Sequence, residues 1–387
     1  MQPKRVLIVG GGIGGLTTAL ALSRAGHSVR LYEQAPAFGE IGAGIMLTPN
    51  ATRVLRHLGL GVALDRGGMR PPASRYRRFD DAALMGDAPL ADVMESTHGA
   101  PWLHIHRSDL LEALLAAVRA RGGTELHVGH RAADCAQDGA SVTVQFGNGA
   151  SAEDELLVAC DGVRSTVRAL LAAQSEARFR GQVAWRALAP AGGLPERVTD
   201  RASVVWIGED RHIVQYVLRG GSLVNYVAIA VQQEWAEEGW NRPARLEEVQ
   251  EEFAGWHQDV QSLLSATPAD ALYKWGLFDR DPLEQWVYGR IALLGDAAHP
   301  MLPFMAQGSA MAIEDAAVLA RCIGAFNDLD AALSRYQDVR GERTARVILQ
   351  SRAQTNLYQR LTGDKKRQRA ASTEWVYGFD ATSCAIQ

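Results

Sequence analysis

Cysteine is scarce: the 387 residues hold four, Cys135, Cys160, Cys322 and Cys384. They show neither C-x-x-C nor Cys/His spacing, which argues against a thiolate metal site, a redox dithiol and a disulfide framework and leaves four free thiols. Also lacking is any run near the roughly 18 apolar residues of a membrane helix. After Met1–Arg5 only about five apolar residues precede the first glycines, too few for the apolar region of a signal peptide. The expectation is a soluble, cytoplasmic protein that is not secreted. Positive charge is not in excess, since 40 Lys+Arg stand against 44 Asp+Glu for a net charge of -4. No global field is present to hold nucleic acid or an anionic membrane, so the expected partners are small molecules. Repeats and low-complexity segments are absent too.

What is present is an ordinary globular composition, with 47% hydrophobic and 22% charged residues. The length suggests two domains or one large one. Residues 4–33 read as a βαβ unit: the apolar strand Val6-Leu7-Ile8-Val9, a glycine cluster, a helix through Leu16–Leu22, and a strand from Val29 ending at Glu33. Gly10 permits the tight turn, Gly12 lets the backbone approach a pyrophosphate, and Gly15 lets the helix pack on the strand. The helix N-terminus offers free N–H groups to the phosphates, and Glu33 is placed to accept from ribose hydroxyls. This predicts dinucleotide binding without deciding between FAD and NAD.

Three later segments narrow the choice. Arg107 precedes a helix for which Ser108 is the expected N-cap; its guanidinium is either solvated or turned to an anion at the sheet's carboxyl edge. The buried strand Glu155–Cys160 runs into Asp161-Gly162, which turn chemistry alone also explains. The strand Arg290–Leu294 runs into Gly295-Asp296-Ala297-Ala298-His299-Pro300, followed by Pro303-Phe304-Met305-Ala306-Gln307-Gly308 and a helix from about Met311 to Cys322.

Taken in order, Gly10-Gly11-Gly12-Ile13-Gly14-Gly15, Glu33, Asp161-Gly162 and Gly295–Pro300 resemble the single-component FAD-dependent aromatic hydroxylases, the para-hydroxybenzoate hydroxylase fold. The likeness covers nearly the whole chain. Its texture is nearest the salicylate hydroxylase and 6-hydroxynicotinate 3-monooxygenase branch, through Glu33-Gln34-Ala35-Pro36, Gly42-Ala43-Gly44-Ile45, Ala312–Ala317 and Trp375-Val376-Tyr377-Gly378. The resemblance implies FAD as cofactor, with the Gly10, Gly12, Gly14 and Gly15 turn and Glu33 binding it. It also implies that Asp296 meets the ribityl chain, Arg107 lies between ribityl and pyrophosphate, and Asp161 supports both FAD and the pyridine nucleotide. A carboxylate suits hydroxyl donors and a guanidinium suits phosphate oxygens. No second Gly-x-Gly-x-x-Gly follows a strand after residue 15, so NADH or NADPH is expected to bind transiently.

Between about Gly181 and Leu277 the pattern shifts to short strands, 203–207, 212–218 and 223–229, the last two joined as a hairpin by Arg219-Gly220-Gly221-Ser222. His212, Val214 and Tyr216 share one face and Ile213 and Gln215 the other. In the related branch a histidine and a tyrosine at this spacing line the aromatic site. That makes Tyr216 a partner of the substrate oxygen and His212 its neighbour or a proton relay; a core aromatic with a satisfied hydroxyl is the other reading of Tyr216. Where the 6-hydroxynicotinate pattern has histidines, this chain has Met46 and Phe304, so a more apolar, benzenoid ring is expected. Pro303 and Gln307-Gly308 are expected to line the isoalloxazine and the oxygen site, with Met46, Pro303, Phe304 and Tyr216 around the substrate.

The expected architecture is α/β: a Rossmann-like FAD-binding domain from residues 1–180 and 277–328, an antiparallel-sheet substrate domain from 181–276 with parts of 70–100, and a C-terminal helical segment, 329–387. The basic run Lys365–Arg369 is either a solvated face or a contact for a homodimer or cofactor. The resemblance implies a monooxygenase in which NAD(P)H reduces FAD and O2 forms a flavin C4a-hydroperoxide. That species hydroxylates a small phenolic or hydroxylated aromatic acid, with or without loss of its carboxylate. Two alternatives stand beside it: an epoxidase or N-hydroxylase on the same scaffold, and a non-enzymatic FAD-binding redox sensor. The retained oxygen-site loop argues against the second.

Overall fold

A computed structural model describes residues 2–39, 42–171, 176–235, 242–356 and 373–386. The basic run Lys365–Arg369 lies outside them. Two sheets carry the architecture. The first has six strands, in the order Val287–Tyr288, Ile291–Leu293, Leu156–Ala159, Arg5–Val9, Ser28–Tyr32, Thr124–His127, parallel except at Val287–Tyr288. Its central strands are buried on both faces, as near-continuous apolar runs such as Val6–Val9 and Leu156–Ala159 require. Helices Ile13–Arg24, Arg107–Arg121, Gly308–Ala325 and Leu329–Ala353 pack on it and on one another.

The second sheet has eight strands, in the order Arg242–Pro243, Tyr273–Asp279, Arg178–Pro190, Leu223–Val231, Arg211–Leu218, Ser203–Ile207, Ala73–Arg78, Leu84–Pro89. It departs from the purely antiparallel expectation at one pairing: Ser203–Ile207 runs parallel to Ala73–Arg78. That strand arrives from a distant segment, so no hairpin fixes its direction. Tyr273–Asp279 also belongs to this sheet and crosses the 276/277 boundary suggested by the sequence. The hairpin turn holds three consecutive positive φ values, 49° at Arg219, 70° at Gly220 and 96° at Gly221, which is why two glycines stand there.

The sheet's two faces have different company. Ile213, Gln215 and Val217 turn toward the helices Leu246–Glu252 and Gln258–Ser265, with Trp185, Trp206 and Phe253 in the same core. Val214, Val205, Ile207 and Ile229 turn to the other side, where they meet Leu302 and Phe304 from the segment after the parallel sheet. The four cysteines form no disulfide. Among the described residues no helix is long and apolar enough to cross a membrane.

Candidate functional site

The strand Arg5–Val9 ends at Gly10, whose φ of +100° suits glycine, and a Cβ there would stand 2.2 Å from the Cys160 carbonyl oxygen on the neighbouring strand. Gly12 is the N-cap of Ile13–Arg24 and brings no capping side chain, so the helix's first amides are left for a ligand. Gly15 lies one turn inside that helix. A Cβ on it would sit 1.8 Å from the Gly10 carbonyl oxygen, so the glycine lets the helix pack closely on the strand.

In front of this turn opens a cavity of about 730 Å³. Gly10, Gly12, Gly14, Glu33, Arg107, Asp161, Asp296 and Gly308 all line it, together with Arg164 and Arg186, which the sequence did not single out. Glu33 accepts from Gly11 N at 2.6 Å, pinning the glycine turn, and from Ala35 N at 2.8 Å in the turn that follows it, and it keeps capacity for more donors. Arg107 opens the helix Arg107–Arg121, and its amide donates to the Ala43 carbonyl at 2.8 Å. The N-cap is His106 and not Ser108: the His106 ring nitrogen Nδ1 takes the Ser108 amide at 3.3 Å, so the helix begins earlier than serine chemistry suggested. Asp161 accepts from Ser165 Oγ at 2.5 Å and Val167 N at 3.2 Å, a supporting turn at the cavity wall.

Asp296 is half-buried in the cavity wall, and among the described residues no hydrogen bond reaches its carboxylate. Burial pushes it up from its ordinary pKa, against the pull of His299, Arg107 and Arg168. Gly308 begins the helix Gly308–Ala325, and a Cβ there would lie 3.8 Å from Asp296 Oδ1. Glycine amides at a helix start, a carboxylate by the second strand, arginines along the wall and a carboxylate seeking donors together fit FAD.

A buried ionic cluster underpins the Asp296 loop. Asp315 takes the Gly295 amide at 3.1 Å and faces His299 Nε2 at 2.6 Å, while Arg340 Nε donates to its other oxygen at 2.7 Å. Arg340 and Arg343 both hold Glu314, at 2.5 and 2.8 Å, and Asn50 Nδ2 adds a bond at 2.6 Å. Burial alone would raise both acids; the arginines, with His299 at Asp315, outweigh it and hold them below the usual range. The sequence signal was available: two acids inside an apolar helix, matched by two arginines three residues apart on the next.

The proposed substrate residues lie apart from that cavity: Tyr216, His212, Met46, Pro303 and Phe304 do not line it. Tyr216 is buried on the sheet face that the alternation assigned, its ring 4.4 Å from that of His104, and burial pushes its phenol up to about 12 against the pull of Arg186. His212 is buried with its ring 6.1 Å from Phe304. Met46 is half-exposed and pairs across strands with His104, and Pro303 is exposed. Arg186 joins the regions, since it lines the cavity and donates to the Gly44 carbonyl beside Tyr216. Gln215 turns to the opposite face and is fully engaged, accepting from Trp206 Nε1 at 3.0 Å and donating to the carbonyls of Arg197 and Val198. His104, Arg186 and Asn225 went unnoticed in the sequence, because each joins this patch only through strand pairing.

A family described as FAD binding domain matches residues 4–351. A 3-amino-4-hydroxybenzoate 2-monooxygenase of Streptomyces platensis is 38% identical, with 97% of this chain and 96% of that one covered. A 6-hydroxynicotinate 3-monooxygenase of Bordetella bronchiseptica is also 38% identical, over 98% of this chain and 96% of its own. Among solved structures, a salicylate hydroxylase substrate complex superposes with a TM-score of 0.81 at 28% identity, covering 98% and 96% of the two chains.

Proposed function

The chain belongs to the FAD-binding-domain family and is an FAD-dependent aromatic monooxygenase, and from that premise we propose how its own residues divide the work. Bound FAD supplies electron transfer from NADH or NADPH and the activation of O2. The Gly10–Gly14 turn and the helix start behind it hold the pyrophosphate, Glu33 the ribose, Arg107 the stretch between phosphate and ribityl, and Asp296 the ribityl hydroxyls. Asp161 supports the turn beside them, and the amide end of the helix at Gly308 closes the flavin's side near Pro303.

The substrate is a small hydroxylated aromatic acid lying against the inner face of the large sheet. Tyr216 hydrogen-bonds its ring oxygen, His212 stands beside it, and Met46 and Phe304 supply apolar walls that favour a benzenoid ring over a pyridine. One observation carries this reading: Arg186 spans from the dinucleotide cavity to the Gly44 backbone against which Tyr216 packs, so ring and cofactor sites adjoin. The reading carries a cytoplasmic setting, where NAD(P)H is at hand, and a homodimer in solution, which sedimentation measures.

The test is to load the protein with FAD and follow NAD(P)H oxidation with benzoates, aminohydroxybenzoates and hydroxynicotinates under ¹⁸O2. Stimulated oxidation and a product carrying one ¹⁸O atom on the ring are expected. Oxidation that no aromatic acid accelerates would overturn the substrate assignment.

A further inference from the structure

On strand Leu103–His106, Leu103 and Ile105 enter the core of the parallel sheet, which turns His104 the other way, against the Tyr216 ring. His104 is wholly buried, and among the described residues neither of its ring nitrogens has a hydrogen-bond partner. A neutral imidazole carries one donor and one acceptor, and native interiors rarely leave both unmade without a use for them.

Nearby stands a second unfilled donor. Asn225, paired with Tyr216 across the hairpin, accepts the Gly44 amide at 2.7 Å through Oδ1, while its Nδ2 has no partner among the described residues. The groups crowd around Gly44, where a Cβ would lie 2.6 Å from Tyr216 Cε2 and 2.8 Å from Asn225 Cγ. Met46, the cross-strand partner of His104, is half-exposed, and its unbranched side chain is adaptable enough to serve as the wall past which a ring is admitted.

We propose that His104 is a specificity-determining residue that hydrogen-bonds the ring hydroxyl of the aromatic acid, with Asn225 Nδ2 supplying a second donor to the same end of the ligand. This rests on the functional reading above and deepens it. Burial holds the imidazole neutral, pushing it down to about 3, so it orients the hydroxyl without taking its proton. A site of buried donors and acceptors rejects a ligand that lacks the matching group, because its own polar atoms then stay unpaired.

His104→Leu and His104→Gln are compared with the parent as holoenzymes, for FAD content, Tm, and affinity for the three monohydroxybenzoates and benzoate by flavin absorbance. FAD content is expected to be unchanged. His104→Leu should bind the preferred hydroxybenzoate at least tenfold more weakly and bring the hydroxybenzoate-to-benzoate preference toward one, with Tm equal or higher because an unmade polar group is gone. His104→Gln should regain part of the preference. Equal weakening of hydroxybenzoate and benzoate, an unchanged preference, or a lower Tm for both variants would overturn the proposal and leave the monooxygenase reading standing. A parent holoenzyme that responds to no hydroxybenzoate would overturn the substrate reading itself, and the proposal with it.

Discussion

Around the dinucleotide cavity the chain presents much of its chemistry as backbone: the turn at Gly10–Gly14, the first amides of Ile13–Arg24 and the helix start at Gly308. On the inner face of the large sheet it presents side chains, Tyr216, His212 and Asn225, met by Met46 and His104 from a separate two-stranded pair. A backbone site tolerates only what the fold allows at one turn, and its failure is steric and complete. A side-chain site can lose one group and keep its shape, so its failures are graded. On the functional reading proposed above, the difference teaches where substrate choice is set: the cofactor end by conformation, and the ring end by which polar atoms are left unmade.

The largest effect that would sharpen this contrast is expected from Gly15→Val. Its Cβ would overlap the Gly10 carbonyl at 1.8 Å, so helix and strand separate, and soluble protein or bound flavin should be lost altogether. Flavin recovery at the parent level would break the backbone half of the comparison.

Next comes Arg340→Leu, which strips a buried cation from Glu314 and Asp315. Removing one member of such a network costs about 3–5 kcal/mol, read as a fall in denaturation midpoint. Because Asp315 also holds the Gly295 amide, FAD should bind more weakly in the same variant. Both acids titrate below their unfolded values, so their contribution is complete above about pH 4–5 and is lost as pH falls through the folded values. The acid limb of the parent's stability curve should show that loss, and the variant should show less of it.

A smaller effect is expected from Gln215→Ala. Although it faces away from the proposed ring site, it is no neutral control, since its three partners, Trp206 and two backbone carbonyls, are left unmade. A stability loss of about 1–3 kcal/mol with a near-normal rate per folded, flavin-loaded molecule is expected. A rate loss larger than the stability loss would mean that the strand's faces are exchanged.

Legibility in the sequence followed the same division. The glycine turn and Glu33 announce themselves locally, because a tight turn and a strand end each restrict residue type within a few positions, whereas the roles expected of Arg107, Asp161 and Asp296 came from the family resemblance. The faces of strand 212–218 were readable from alternation, Ile213 and Gln215 on one side and His212, Val214 and Tyr216 on the other. Serine is the usual cap, but here the helix starts earlier, with the His106 ring nitrogen accepting the amide of Ser108 itself. The parallel pairing of Ala73–Arg78 and the meeting of His104, Asn225 and Arg186 are products of long-range register, and no short window of sequence encodes them.

The most direct measurement takes flavin content and turnover together on Asp296→Ala and Tyr216→Phe. Asp296→Ala should lose FAD affinity by about 1–3 kcal/mol, roughly 5- to 150-fold, since ribityl donors go unpaired. Tyr216→Phe keeps the ring and removes one hydroxyl, so it should bind FAD normally while aromatic-stimulated turnover falls by about 10- to 10⁴-fold. Loss of FAD from both variants to the same degree, or normal turnover in Tyr216→Phe, would contradict the division between a cofactor end and a ring end.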